Sequence, residues 1–158
     1  MPLLRMARLT VALAALPILF VACGSQDRQA EVADRGTDVM PFDLDGTTHR
    51  FTPQADGLTQ QVVVDDPADA DQRELVREHL RVEMTRFRAG DYGDPARIHG
   101  DHMPGLRQLE AGAAAIEIRY DDVDAGAELR FLTADPALVD ALHQWGEAQV
   151  ADHGSHAG

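Results

Sequence analysis

Apolar and polar residues alternate in four short segments of the chain, and this period of two predicts strands. Residues 47–52 and 58–64 form the first pair, and 116–120 and 128–131 form the second. Turn residues rich in Asp and Gly separate the members of each pair. Each pair is therefore predicted to be a β-hairpin, and His49 lies on the same strand face as an inward-pointing phenylalanine.

Two longer segments repeat apolar residues every three to four positions, which predicts helices. Asp66 as N-cap and Pro67 as the first helical residue start the first helix, which runs to about Arg88. Asp135 and Pro136 repeat this start for the last helix. Proline suits the first helical position because its missing N–H would have no partner there.

The elements follow each other as β-β-α, a linker helix within residues 94–113, and then β-β-α. The similar order of the two halves suggests an internal duplication. Strands with one polar face and helices with one apolar stripe predict an α+β fold, a single domain whose antiparallel sheet is covered on one face by two main helices. The predicted core is Leu75, Val76, Leu80, Phe87, Ile116, Ile118, Leu129, Phe131, Leu138, Leu142 and Trp145.

The N-terminal segment is set apart by its composition: two arginines, a run of apolar residues and then small residues. This is the pattern of a signal peptide, predicted here for residues 1–22. The stretch Phe20-Val21-Ala22-Cys23 resembles the lipobox of bacterial lipoproteins, although Leu is more usual where Phe20 stands. The resemblance implies that Cys23 carries a lipid and anchors the protein to a bacterial membrane, on the periplasmic side or at the cell surface.

The remaining chain divides by polarity into three parts. Residues 23–39 are polar and show no periodicity, which predicts the lipidated cysteine followed by a flexible tether. Residues 40–151 hold the α+β domain, and 152–158 form a His/Gly-rich tail that we expect to be loose. Cys23 is the single cysteine, so lipidation leaves no thiol for catalysis or metal binding.

Charge excludes one class of partner. The formal net charge of the chain is −13, and removal of the signal segment leaves 12 basic side chains against 27 acidic ones. A polyanion would be repelled by this surface, so we expect no nucleic-acid partner. All the basic side chains are arginines, which also excludes a lysine nucleophile.

The sequence RIHGDHMPGL places His99, His102 and Met103 within five positions. Imidazole and thioether groups together suit copper, since Met is a soft ligand for Cu(I) and His serves both oxidation states. The same stretch contains Gly100 and Pro104, which ordinary tight connections also use. Both interpretations, a copper-binding cluster and a structural loop, stay open from the sequence.

Three further histidines are candidates to complete or orient that cluster. His79 lies on the apolar stripe of the first helix, His49 on the inward face of a strand, and His143 at the edge of the last helix's stripe. Each is equally compatible with a structural role, as a core histidine or a partly exposed helix edge. The histidines of the C-terminal tail could add ligands in trans or stay solvated.

Motifs for nucleophilic catalysis and phosphate binding are absent: the sequence has no Gly-x-Ser-x-Gly elbow and no Gly-rich phosphate loop. We therefore expect a protein that is not an enzyme. Two functions remain open, an extracytoplasmic metal-binding lipoprotein with copper as the favoured ion, and a cell-envelope module that binds another envelope protein. The arrangement of the histidines distinguishes them, since only the first requires convergence.

Several stretches together resemble a family of small exported bacterial proteins that carries the name aspartate carbamoyltransferase; they are MPFDLDGTTHRFT, LVREHLR, GDPARIHG, MPGL, LHQW and DHGSHA. The resemblance covers most of residues 40–157 and supplies no functional residue. True aspartate carbamoyltransferases are about twice as long and bind carbamoyl phosphate through a Ser-Thr-Arg-Thr loop and a His-Pro-x-Gln segment. Neither motif occurs here, so that activity is not expected.

Overall fold

A computed structural model describes residues 22–154 and Ala157. The elements are α1 (Ala22–Thr37), β1 (Thr47–Gln54), β2 (Gly57–Val64), α2 (Ala70–Arg88), α3 (Gly93–His99), α4 (Leu106–Gly112), a 3₁₀ turn (Ala113–Ala115), β3 (Glu117–Val123), β4 (Gly126–Leu132) and α5 (Pro136–His153). The predicted linker helix within residues 94–113 is thus two short helices, α3 and α4.

Both predicted hairpins belong to one open, antiparallel sheet with the order β1-β2-β4-β3. His49 pairs with Val62, and Val62 pairs with Ala127 across the centre of the sheet. All three are buried, whereas Arg50 and Arg130, on the opposite face, are exposed. One face of the sheet therefore meets the core and the other meets solvent, as the period of two predicts.

The two long helices cover the buried face, and each covers the hairpin of the other half. Helix α2 follows β2 but packs mainly against β3 and β4, while α5 follows β4 and packs against β1 and β2. The predicted α+β fold is confirmed, and so is the predicted core except at Leu75, which is 38% exposed. Val76 occupies the inward position beside it because a helix turns by about 100° per residue.

The two predicted helix starts have different outcomes. The Asp135 carboxylate accepts a hydrogen bond from the backbone N–H of Ala137 at 2.9 Å, which confirms that N-cap. The prediction of Asp66 is wrong, since α2 is capped by Asp69, which accepts from the N–H of Gln72 at 3.1 Å. Asp66 instead stabilises the preceding turn through the N–H of Ala68.

The predicted flexible tether at residues 23–39 is wrong, because most of this segment forms α1. Helix α1 packs against α3 and α5. Val32 is 1% exposed, and Arg35 donates to the carbonyl oxygen of Ile98 at 3.3 Å. Among residues 25–37, Val32 is the one buried apolar side chain, and a single such position produces no visible periodicity.

Membrane attachment is not tested by this fold. Residues 1–21 of the predicted signal peptide, and residues 155, 156 and 158 of the predicted tail, lie outside the described residues. The side chain of Cys23 is not described either, so its lipidation stays a prediction. Among the helices that are described, none has the length and apolar character that a bilayer crossing requires.

Candidate functional site

The loop after α3 separates the three residues that the sequence groups as a metal cluster. His99 is the buried last residue of α3, while His102 is exposed and its Nδ1 lies 3.3 Å from Nη2 of Arg107. Met103 turns inward and is buried in the hydrophobic core. The chain can make this turn because Gly105 adopts φ +79, with the backbone oxygen of Ala141 too close for any side chain. The three side chains thus lie in different environments, and their joint binding of a metal ion stays a prediction.

His143 also lies apart from the other candidates. Its Nε2–H donates to the carbonyl oxygens of Gln54 at 3.0 Å and Gly57 at 2.9 Å. These two residues flank the turn between β1 and β2. His143 thus fixes a hairpin turn against α5, and its predicted metal role is not supported by its position.

The other three candidates do converge. His49 from β1, His79 from α2 and His99 from α3 line one cavity, together with His153 from the end of α5. The cavity has a volume of about 30 Å³. That is room for one or two water molecules or a single ion, and too little for an organic substrate. Apolar residues complete its walls: Phe42, Phe51, Val62, Phe87, Pro95, Ile98 and Trp145.

His153 occupies the central position among the imidazoles. Its ring centroid lies 4.9 Å from that of His49 and 5.0 Å from that of His99. Two imidazoles that bind one metal ion through 2 Å bonds at tetrahedral angles have centroids roughly 5 Å apart. The two ring pairs that include His153 are therefore spaced as two imidazoles on one ion would be. Phe42 lies between His79 and this group. The ring centroids of Phe42 and His79 are 5.6 Å apart, in an edge-to-face contact.

A carboxylate fixes the proton of His99. Nδ1 of His99 lies 2.8 Å from Oδ2 of Asp152, and Arg28 donates to both oxygens of the same carboxylate, at 3.1 and 2.7 Å. Burial alone would raise the pKa of Asp152, but the hydrogen bonds from Arg28 and His99 hold it below its ordinary value. A carboxylate only accepts, so Nδ1 carries the hydrogen and the lone pair of the neutral ring is on Nε2.

Burial determines the charge of His99. Its side chain is 2% exposed, and burial lowers the pKa of the imidazole despite the nearby Asp152 carboxylate. The ring is therefore neutral at pH 7, which is the form that binds metal ions. A histidine whose second nitrogen donates to a carboxylate is the usual arrangement behind a metal-binding imidazole.

Two buried side-chain atoms at the cavity, on Trp145 and Gln60, indicate a position for a water molecule or another polar ligand. His153 Nε2 lies 3.2 Å from Oε1 of Gln149, which is itself buried. By contrast, Nε1 of Trp145 and Oε1 of Gln60 have no hydrogen-bond partner within the described part of the chain. Both residues line the cavity. A buried donor and a buried acceptor without partners are costly unless a water molecule or another polar ligand lies between them.

Another part of the cavity wall is formed by Glu83 and His79, both on α2. Glu83 lies one helical turn after His79, is 4% exposed, and accepts from Arg86 at 3.2 Å. Burial, with the nearby charge of Asp94, raises the pKa of Glu83 to about 7. Burial also lowers the pKa of His79. At neutral pH this wall therefore presents a neutral imidazole beside a carboxyl group that is partly protonated.

The cavity lining includes a thioether as well as imidazoles. Met40 lines the cavity and supplies the thioether that the sequence assigned to Met103. Within residues 22–154 and Ala157, however, no three His, Cys, Asp or Glu side chains have their donor atoms arranged to hold a metal ion. Coordination would require the imidazole rings to turn about their side-chain bonds.

Sequence reasoning missed Met40, Asp152 and His153 as members of the site. The signal for the last two was present, because the apolar stripe of α5 that includes Trp145 continues through Gln149 to residues 152 and 153. Ending the helix at Ala151 placed these two residues in a loose tail. Met40 precedes the first strand in an irregular stretch, where no periodicity marks its direction.

The chain matches no protein-family model, no curated protein and no solved structure.

Proposed function

We propose that this protein binds a single transition-metal ion, copper in the first instance, in the cavity lined by His49, His99, His153 and Met40. The observation that carries the proposal is the spacing of the three imidazoles, 4.9 and 5.0 Å between centroids, inside a cavity of ionic size. A carrier or sensor role fits a site that lacks a nucleophile and has no room for a substrate.

Copper is favoured by the donor set. Imidazole nitrogen binds Cu(II), which heads the affinity order of the divalent first-row metals, and a thioether adds preference for Cu(I). His99, already neutral and oriented by Asp152, would bind through Nε2. His153 would bind through Nδ1, since its Nε2 is turned toward the amide oxygen of Gln149. The unpartnered Trp145 and Gln60 atoms would position a water molecule beside the ion.

Metal titration of the purified full chain tests this proposal. Cu(I), held without oxygen, and Cu(II) are each titrated against a competing chelator, and we expect a dissociation constant tighter than about 1 μM. His153→Ala should weaken binding of both ions by at least about tenfold, while His102→Ala, the same change in the exposed loop, should not. Met40→Leu should weaken Cu(I) selectively, with the core substitution Met103→Leu as its matched control.

The metal proposal would be overturned if the full chain bound no copper, or if every cavity variant bound copper as tightly as the wild type. The alternative is then a module that binds another cell-envelope protein. Leu75 and Val82, two turns apart on the outer face of α2 and 38% and 44% exposed, are the apolar residues such a partner would contact.

We also propose that Cys23 is lipidated and holds the protein on the outer side of a bacterial membrane. The support is the lipobox-like sequence before Cys23 and the apolar segment that precedes it. Fractionation of cells expressing Cys23→Ser tests this. The variant should leave the membrane fraction, and equal membrane association of both proteins would overturn the proposal.

A further inference from the structure

Helix α1 contributes a side chain, Arg28, that contacts two residues of the histidine site. Arg28 lies 124 positions before Asp152 and donates to both of its carboxylate oxygens, Nε to Oδ1 at 3.1 Å and Nη2 to Oδ2 at 2.7 Å. Such a two-point contact fixes the plane of the carboxylate as well as its position. The oxygen that receives Nη2 is the one that faces His99 Nδ1 at 2.8 Å.

The same guanidinium also holds the backbone of His99. Nη2 of Arg28 donates to the carbonyl oxygen of His99 at 2.6 Å. Arg28 therefore fixes the end of α3 that carries the imidazole and the carboxylate that orients the imidazole. Its remaining charged neighbour is Glu31, 3.9 Å away on its own helix.

We propose that Arg28 is a positioning residue of the histidine cavity, which holds Asp152 so that His99 keeps its hydrogen on Nδ1 and presents the Nε2 lone pair to a metal ion. The metal part of this inference rests on the proposed function, whereas the effect on the His99 hydrogen does not. Without the guanidinium, the carboxylate can rotate away and compete less well for Nδ1–H, and the two neutral forms of the ring become closer in free energy.

The position of the hydrogen can be measured directly in the metal-free full chain. Long-range ¹H–¹⁵N NMR correlations distinguish a histidine protonated on Nδ1 from one protonated on Nε2. We expect the Nδ1–H form for His99 in the wild type and a mixture in Arg28→Gln. Arg28→Lys, which keeps the charge but not the two-point contact, should lie between them.

Arg35→Gln is the matched control. Arg35 lies on the same helix and donates to the carbonyl oxygen of the adjacent Ile98, but it does not touch Asp152. The substitution Arg35→Gln therefore loosens the attachment of α1 to α3 but leaves the contacts of the Asp152 carboxylate unchanged. The inference is overturned if His99 carries its hydrogen on Nε2 in the wild type. It is equally overturned if Arg28→Gln leaves the hydrogen in place, or if Arg35→Gln moves it as much.

Metal affinity provides the second readout. If the copper proposal holds, Arg28→Gln should weaken binding by about 10-fold to 100-fold, the usual effect of losing the partner behind a metal-binding histidine, and Arg35→Gln should not. Absence of copper binding in the wild type would overturn the proposed function alone, since the NMR comparison needs no metal. Equal affinities of wild type and Arg28→Gln would overturn the positioning role in metal binding.

Discussion

Glu83 is a buried carboxyl group whose environment differs strongly from water. It is enclosed by α2, α3 and the cavity, with Arg86 and Asp94 as its charged neighbours. Arg86 also bridges to Asp94, so one guanidinium serves two carboxyl groups. Burial is the main reason why Glu83 retains a proton up to a pH of about 7, and the charge of Asp94 raises its pKa further.

This retained proton makes stability depend on pH in a definite direction. The unfolded chain releases the Glu83 proton near pH 4.5, whereas the folded protein keeps it until about pH 7. Stability contributed by the proton is therefore complete at low pH and is lost as pH rises through this window, by at most about 1.4 kcal/mol per pH unit. Glu83→Gln should remove this loss, so its stability relative to the wild type should increase from pH 4.5 to 7.

Chemical denaturation of both proteins across this pH range measures the difference. The comparison cancels the opposite effect of His79 and His99, whose lowered pKa values cost stability below about pH 6.5 in both proteins. Glu78→Gln, an exposed change on the same helix, is the control for replacing a glutamate of α2 by glutamine. A constant difference for Glu83→Gln would contradict the assignment of the buried proton.

At the scale of elements, the sequence predicted what depends on periodicity. The alternation at β1 to β4 and the stripes of α2 and α5 are visible because each element buries one complete face. Between residues 25 and 37, helix α1 buries one large apolar residue, Val32, while Arg28, Gln29 and Arg35 reach distant carbonyl and carboxylate oxygens. Contacts of this kind leave no period in the sequence, so the helix and its share of the site could not be predicted.

Val32 gives the energetic test of this helix. Val32→Ala removes two buried methyl groups between α1 and its neighbours and should lower the free energy of unfolding by about 2 kcal/mol, from lost burial and the cavity left behind. Val82→Ala makes the same change at an exposed position of α2, where alanine's higher helix propensity should offset the loss. Thermal or urea unfolding compares them, and equal small effects would show that α1 does not pack as described.

At the scale of the whole molecule, both ends of the described chain contribute residues to the histidine site. Helix α1 supplies Arg28, and the last turn of α5 supplies Asp152 and His153, while Ala157 pairs with His49 on the outer strand. The candidate histidines of the sequence are spread from position 49 to 143, and only the tertiary fold decides which of them meet. Sequence patterns specify which face of an element is buried but not which buried polar residues of different elements become neighbours.

The contact between Arg28 and Asp152 predicts that the C-terminal turn of α5 protects α1 from proteolysis. A chain ending after Ala151 lacks Asp152, so Arg28 loses its two-point contact and α1 should detach more often from α3 and α5. Trypsin should then cleave after Arg28 and Arg35 at least about tenfold faster than in the full chain, because cleavage of a helix requires local unfolding. Cleavage after Arg119 on β3, whose side chain is 53% exposed, provides the internal reference. A chain ending after Gly154 keeps Asp152 and His153 and should retain most of this protection. Equal cleavage of all three chains at Arg28 and Arg35 would show that α1 is held independently of the C-terminal turn.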